Sequence, residues 1–293
     1  MALGMESKPN YLGRFAPSPT GPLHFGSLVA ALASYLDARH HKGAWLLRIE
    51  DLDPPREQPD APQTIIEQLT HLGFQWDGEP TYQSHNLDRY QQCLDQLIDR
   101  ELTFMCTCSR KSFQQVYPGK CRGILHQPGP HAVRLEVPNV VIYFSDLIQG
   151  QQSFHLREDI GDFILRRKDG LFAYQLAVVV DDQDQNVTHV IRGSDLLDST
   201  PKQIWLAQCL NFRPLKFGHF PVVVDASGQK LSKQAHAKSI DLSESVQALK
   251  QALKFLRQPI PTNNTPQLVL DQAIKNWQRN DILSVMSAHI DSD

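Results

Sequence analysis

Two short segments lying far apart constrain this chain more than anything else in it. The first is RFAPSPTGPLHFGSL, from Arg14 to Leu28, and the second is KLSKQ, from Lys230 to Gln234. The first reads as a short strand, a loop rich in Pro and Gly, and then His24-Phe25-Gly26-Ser27 opening a helix. A helix start turns unpaired backbone N–H groups toward an anion, and Gly21 and Gly26 let main chain approach it closely. His24 and Lys233 add donors where negative charge builds on phosphate oxygens in a transition state. Together the two segments describe a triphosphate site.

The order of elements around them predicts an α/β fold. A strand over 11–16 leads through the proline loop into a helix from about Gly26 to His41. A second strand, Trp45–Ile49, stops at the acidic run Glu50-Asp51-Leu52-Asp53 and two prolines. Strand, helix, strand in this arrangement makes a βαβ unit and a parallel sheet, whose ligands sit beyond the carboxyl ends of the strands. His24 and Glu50 both fall there. An amphipathic helix is predicted over Ser84–Arg100, with Leu87, Tyr90, Leu94 and Leu97 on its apolar stripe.

From 103 to 160 the composition shifts to Cys, Gly, Pro and short β-like runs, the pattern of an insertion between two halves of a nucleotide-binding fold. The expected division is 11–102 for the first half, 103–160 for the insertion, 161–239 for the second half and 240–293 for a C-terminal helical region. In the second half Leu176–Val180 reads as a buried strand or helix segment. Asp181-Asp182-Gln183-Asp184 reads as a polar turn after it in preference to a Mg²⁺ site; Mg²⁺ is expected to arrive with ATP.

The 293 residues carry 29 Lys+Arg against 32 Asp+Glu, a net charge of -3, so any RNA contact must use local basic patches. Arg166-Arg167-Lys168 and the set Lys250, Lys254 and Arg257 are the candidates, and each also reads as an ordinary solvated face. No apolar run has membrane-spanning length and MALGMESKPN lacks a signal-peptide pattern, so a soluble, cytoplasmic protein is expected, with no membrane partner and no obligate protein partner. Of five cysteines, Cys106, Cys108 and Cys121 cluster, which suits a metal site in a reducing compartment better than a disulfide framework. Cys93 and Cys209 read as core. Zinc takes four ligands, and a closed tetrahedral site is structural. From the chemistry of the residues the fourth ligand stays open between Tyr117 and His126.

The paired segments resemble the HIGH and KMSKS signatures of class I aminoacyl-tRNA synthetases, and RFAPSPTGPLH has the form seen in the glutamyl branch of that family. The resemblance covers about Tyr11 to Lys238. Phe25 and Ser27 depart from the first signature and Gln234 from the second, while Lys230, Ser232 and Lys233 keep its essential part. What the resemblance implies is a class I Rossmann fold with a parallel sheet, a zinc-bearing insertion and a short C-terminal helical region. It implies a glutamate pocket made by Arg14, Phe15, Ala16, Pro17, Ser18, Glu50, Tyr174 and Arg192. Glutamate offers two carboxylates and an ammonium, which suits Arg14 and Arg192 for the first and Glu50 for the second. His24, Gly26, Ser232 and Lys233 are implied at ATP, and His24, Lys230 and Lys233 in catalysis.

The spacing C-x-C…Y-x3-C is similar to the zinc site of the short members of this branch, the glutamyl-Q tRNA(Asp) synthetases. That similarity implies one structural zinc per chain on Cys106, Cys108, Tyr117 and Cys121. It also implies transfer of L-glutamate, activated by ATP, to queuosine in the anticodon of tRNA(Asp). Only residues 235–293 follow the second signature, too few for the large anticodon-reading module of a full glutamyl enzyme. Three alternatives remain at this point: a compact enzyme charging the 3′ end of tRNA(Glu), a small-molecule adenylyltransferase of the HxGH type, and a non-catalytic RNA-binding relic.

Overall fold

The computed structural model describes residues 11–109, 116–125, 129–224 and 239–289. The first half is built from β1 (Leu12–Phe15), α1 (Phe25–His40), β2 (Ala44–Ile49), α2 (Ala61–His71), β3 (Thr81–Tyr82) and α3 (Leu87–Asp99). β1, β2 and β3 form a parallel sheet, with Arg14 opposite Leu46. The insertion region supplies β4 (Thr103–Cys106), β5 (Ala132–Leu135), β6 (Val141–Asp146) and β7 (Gly150–His155). There follow β8 (Phe163–Arg166), α4 (Tyr174–Asp184), β9 (His189–Gly193), α5 (Thr200–Cys209), β10 (Lys216–Phe220) and β11 (Val222–Val224). The chain ends its described course in α6 (Ser245–Phe255), α7 (Pro266–Asn276) and β12 (Ser287–His289).

β9 and β10 pair in parallel, and their sheet meets the first at the start of β1. There the Leu12 amide donates to Thr188 Oγ1 at 2.8 Å and the Thr188 amide to the Leu12 carbonyl at 2.9 Å. Strand order therefore reverses between β1 and β9, the point at which sheets of this kind bind their ligands. α1 packs across both sheets. It is apolar nearly all round, as a helix enclosed on every side must be, and Leu28, Val29, Leu32 and Leu36 are completely buried. Its buried Asp37 takes hydrogen bonds from Tyr11 and from Trp277 Nε1, and an ion pair with Arg279 joins them, which ties the C-terminal region to the first strand and helix.

β8 lies beyond the boundary drawn at 160, yet it pairs antiparallel with β5 and completes the three-stranded sheet β4-β5-β8. β6 and β7 form a separate hairpin. Three local readings change in three dimensions. Leu87 is 44% exposed although Tyr90, Leu94 and Leu97 are fully buried, because α3 turns its first residue out of the stripe. Asp181 and Asp182 are not in a polar turn but inside α4, both buried, because arginines from other elements meet them there. The C-terminal region is not wholly helical: β12 pairs in parallel with β11. The Lys230–Gln234 signature, with Lys230, Ser232 and Lys233, and the alternative metal ligand His126 lie outside the described residues.

Candidate active site and thiol cluster

β1 ends at Phe15 and hands the chain to the proline loop, and His24 then caps α1. Its Nδ1 accepts the Ser27 amide at 3.3 Å, so a neutral ring carries its proton on Nε2. His24 also bridges Ser239 in antiparallel fashion, beside a hydrogen bond from the Ile240 amide to the Leu23 carbonyl at 3.1 Å. The buried Gln68 stitches the same junction, accepting from the Leu23 amide at 2.7 Å and donating to Ser239 Oγ at 3.4 Å.

Behind this loop lies a cavity of about 560 Å³. Arg14, Phe15, Ala16, Pro17, Ser18, His24, Gly26, Glu50, Tyr174 and Arg192 all line it. The fold thus brings together, from β1, α1, β2, α4 and β9, every described residue that the sequence placed at glutamate or ATP.

The floor of this cavity is a buried cluster of charges. Arg14 Nε meets Asp182 Oδ1 at 3.2 Å, and Arg48 Nη2 meets the same oxygen at 2.7 Å. Arg48 also lies 3.8 Å from Asp181 and 3.6 Å from Glu50. Asp181 is further held by Gln83, Asn86 and Tyr90. Burial works against the Asp182 charge, but Arg14 and Arg48 outweigh it and hold the carboxyl below its usual range. Glu50 differs. Burial pushes it up to about 7, against the pull of Arg48 and Arg14, and its Oε1 is buried without a hydrogen-bond donor.

Arg192 has another environment again. Its Nε donates to His219 Nε2 at 3.0 Å, Nη2 to Thr200 Oγ1 at 2.8 Å and the Leu196 carbonyl at 3.3 Å, and Nη1 to the Tyr174 hydroxyl at 3.4 Å. Every one of these partners is uncharged. Among the described residues no carboxylate pairs with Arg192, although the side chain is only 5% exposed. A buried guanidinium with neutral neighbours is a ready receptor for an anion entering the cavity.

A second cavity, of about 510 Å³, shares Ser18, Glu50, Arg56 and Tyr174 with the first. It runs outward past Arg134, Arg167 and Lys202 to Tyr117 at the insertion. There Cys106, Cys108 and Cys121 converge, with all three sulfurs within 4.8 Å of one another. Cys108 Sγ is 3.6 Å from Cys121 Sγ and 3.9 Å from the Tyr117 hydroxyl. Sulfurs bound to one tetrahedral zinc at about 2.3 Å stand roughly 3.7 Å apart, so the donor set fits that ion. The separation is far too long for a disulfide, whose sulfurs lie at about 2.05 Å, and all three thiols are free. Burial works to raise the Cys121 thiol, but hydrogen bonds from Tyr117, the Thr107 backbone and the other two cysteines outweigh it and bring it to about 6. A sulfur inclined to the thiolate is what a metal ligand requires.

The backbone explains how Tyr117 reaches this position. Gly161, at φ 66°, packs so closely beneath it that a Cβ there would come within 2.9 Å of the Tyr117 carbonyl. The Arg134 guanidinium lies 4.0 Å over the phenol ring.

Sequence reasoning missed Arg48, Asp181, Asp182 and His219. Arg48 did leave a trace: a lone arginine inside the apolar run WLLRI requires a buried counter-charge. Nothing local shows that Asp182, far along the chain, provides it.

The chain matches the family described as tRNA synthetases class I (E and Q), catalytic domain, over residues 12–260. It is 48% identical to a glutamyl-Q tRNA(Asp) synthetase of Acinetobacter baylyi over 93% of this chain and 94% of that one. A protein of the same name from Neisseria meningitidis is 47% identical over 93% of this chain and 97% of its own. Among solved structures, a glutamate tRNA ligase from Elizabethkingia meningosepticum in complex with its amino acid has the same fold. It superposes with a TM-score of 0.80 at 24% identity, over 96% of this chain and 67% of that one. Among the described residues no helix is long and apolar enough to cross a membrane.

Proposed function

Since this chain belongs to the class I tRNA synthetases of the E and Q type, and within them to the glutamyl-Q tRNA(Asp) synthetases, we propose that it activates L-glutamate with ATP and transfers it to queuosine in the anticodon of tRNA(Asp). One observation carries the reading of the pocket. Arg192 is buried at the cavity wall among neutral partners, and Glu50 is buried opposite with an oxygen awaiting a donor. A substrate bearing both carboxylate and ammonium groups satisfies the two at once.

In this reading Arg192, supported by Arg14, receives substrate carboxylate and Glu50 takes the α-ammonium. Tyr174 forms the wall against the substrate's methylenes. The substrate's reacting carboxylate oxygen attacks the α-phosphorus of ATP, the bond from that phosphorus to the α,β-bridging oxygen breaks, and pyrophosphate leaves with the electron pair. His24 Nε2, at the start of α1, and Lys233 stabilise the charge that develops on the phosphates. A hydroxyl of the cyclopentenediol then attacks the activated carbonyl, releasing AMP and a proton. No protein side chain forms a covalent intermediate.

Mg²⁺ accompanies ATP. Cys106, Cys108, Cys121 and Tyr117 hold a zinc ion that closes the insertion structurally, with no part in the chemistry. The second cavity, lined by Arg56, Arg134, Arg167 and Lys202, is the entrance for the RNA loop, which such cations grip through phosphate.

The test has two stages. Glutamate-dependent exchange between ATP and pyrophosphate is expected without RNA, with glutamine and aspartate poorly activated. Glutamate is then expected on an isolated anticodon stem-loop of tRNA(Asp) bearing queuosine, and not on the unmodified loop. Charging of tRNA(Glu) with no transfer to the stem-loop would sink the proposed acceptor in favour of the compact synthetase.

A further inference from the structure

Arg192 is held from behind by two buried side chains that lie outside the substrate cavity. We propose that Asp146 and His219 form a positioning pair: Asp146 fixes His219 as the neutral tautomer with its proton on Nδ1, and the bare Nε2 then aims Arg192 at substrate carboxylate. The inference rests on the reading of Arg192 as a carboxylate ligand given above.

The geometry leaves the ring one tautomer. Asp146 and His219 are both completely buried at the side chain, and His219 Nδ1 lies 2.6 Å from Asp146 Oδ2. A carboxylate only accepts, so Nδ1 donates. Nε2 lies 3.0 Å from Arg192 Nε, and a guanidinium only donates, so Nε2 must present its lone pair. A proton there would set two donors and two positive charges face to face in a buried space. Thr200 Oγ1, which receives Arg192 Nη2, stands 3.1 Å from the same ring nitrogen and completes the bracket.

Three groups act on the charge of the ring. Arg192 opposes protonation, and Asp146 and Asp195 favour it. Burial and Arg192 prevail, so His219 sits below its ordinary pKa. Asp146 is itself immobilised, since its Oδ1 accepts the amides of Ile148 at 3.0 Å, Gln149 at 2.8 Å and His219 at 3.0 Å.

The pair also spans two parts of the fold. Asp146 closes β6, in the hairpin of the insertion, whereas His219 lies on β10 beside β9 and Arg192. The insertion thereby reaches through one carboxylate and one imidazole to the residue that receives substrate. Four of the five guanidinium N–H groups are occupied by this bracket and by Tyr174 and Leu196, which leaves one, on Nη1, for the ligand. A guanidinium pinned at Nε and Nη2 has lost its rotational freedom before substrate arrives, and that is the source of the affinity.

The decisive experiment separates the two ends of the ring. His219→Asn retains a donor where Nδ1 was and loses the acceptor facing Arg192; His219→Gln places an oxygen near Nε2 and gives up the bond to Asp146. In glutamate-dependent pyrophosphate exchange, His219→Asn is expected to raise KM for glutamate about 10- to 100-fold, the scale of lost outer supports. KM for ATP should stay within about twofold, and His219→Gln should recover most of the loss. In the wild-type protein protonation of Nε2 should add an acid-side rise in KM for glutamate to the one set by Glu50, and His219→Gln should remove that added component alone.

Because either variant could fail to fold, nitrogen-15 NMR of the wild-type imidazole gives an independent reading: Nδ1 protonated and Nε2 bare at neutral pH. A proton on Nε2 overturns the proposal. So does wild-type exchange with KM for glutamate unmoved in His219→Asn, or an equal loss in both variants. Absence of glutamate-dependent exchange in the wild-type protein would instead overturn the reading of the pocket itself.

Discussion

The floor of the first cavity and the thiol cluster of the insertion both bury reactive groups, and they satisfy them in opposite ways. At the floor, Arg14 and Arg48 converge on Asp182, and Asp181 collects Gln83, Asn86 and Tyr90, so these charges, unlike Glu50, find partners inside the chain. In the insertion, three sulfurs and a phenol face mainly one another. They form a donor set that fits a cation from outside. The first region depends on the chain alone and should be insensitive to chelators; the second should fall apart with them. Preorganisation in the pocket thus rests on internal ion pairs, and in the insertion, under the proposed zinc site, on a metal.

The largest effect that could break this contrast comes from Asp182→Asn. Removing one partner of a buried ion pair strands the other, at a cost of about 3–5 kcal/mol. Denaturant unfolding should show a loss of that size, and an unchanged midpoint would mean the floor is not held together as described. Next comes Cys108→Ser. Elemental analysis should fall from one zinc per chain to none, and chelation should lower the melting temperature of the wild-type protein but not of the variant. A ligand present at a hundred times its Kd contributes roughly 3 kcal/mol of stability. Wild-type protein that holds no zinc would erase the distinction between the two regions.

A smaller effect is set by Glu50. In the proposed pocket its carboxylate form is the one that holds the ammonium, and burial pushes its carboxyl up to about 7. KM for glutamate should therefore rise as pH falls below 7, by up to tenfold (about 1.4 kcal/mol) per pH unit, and Glu50→Gln should flatten that dependence. The stability term has the opposite sense: the folded carboxyl prefers its proton, so its contribution is full below the unfolded value of 4.5 and is lost as pH rises to about 7. The smallest effect belongs to Arg134→Met, which removes the cation from the face of the Tyr117 ring. About 0.5–1 kcal/mol is at stake, visible as weaker zinc retention with the pocket's kinetics unchanged.

The two regions also differ in how well they could be read from one dimension. The pocket's lining was legible because Arg14 to Gly26 is contiguous, so a single motif delivers eight of the residues of the cavity wall. The thiol cluster was legible because its ligands lie within sixteen residues of chain, from Cys106 to Cys121. What escaped were groups whose meaning depends on a partner from another element. Asp181-Asp182-Gln183-Asp184 has the composition of a solvated turn, and only the arrival of Arg14 and Arg48 makes two of its carboxylates core residues. His219 stands in the run KFGHF with no local hint that Asp146 and Arg192 flank its ring. Ser287-Ala288-His289 has little β propensity and becomes a strand because the edge of β11 offers it main-chain hydrogen bonds. Leu87 shows the reverse error: it keeps the period of the stripe, yet as the first residue of α3 it is 44% exposed.

The junction of His24 with Ser239 has a consequence for the two signature segments. Residue 224 is fastened through β11 to β12, and residue 239 is fastened to His24 itself, with Gln68 as a rivet. Lys233 follows the first anchor by nine positions and precedes the second by six. A chain spans at most about 3.5 Å per residue, so six positions allow at most roughly 21 Å between Ser239 and Lys233. Connectivity alone thus bounds the reach between two residues separated by about two hundred positions in the sequence. In the proposed function their encounter around a nucleotide is an intramolecular one, at an effective concentration set by a short tether instead of by the length of the whole chain.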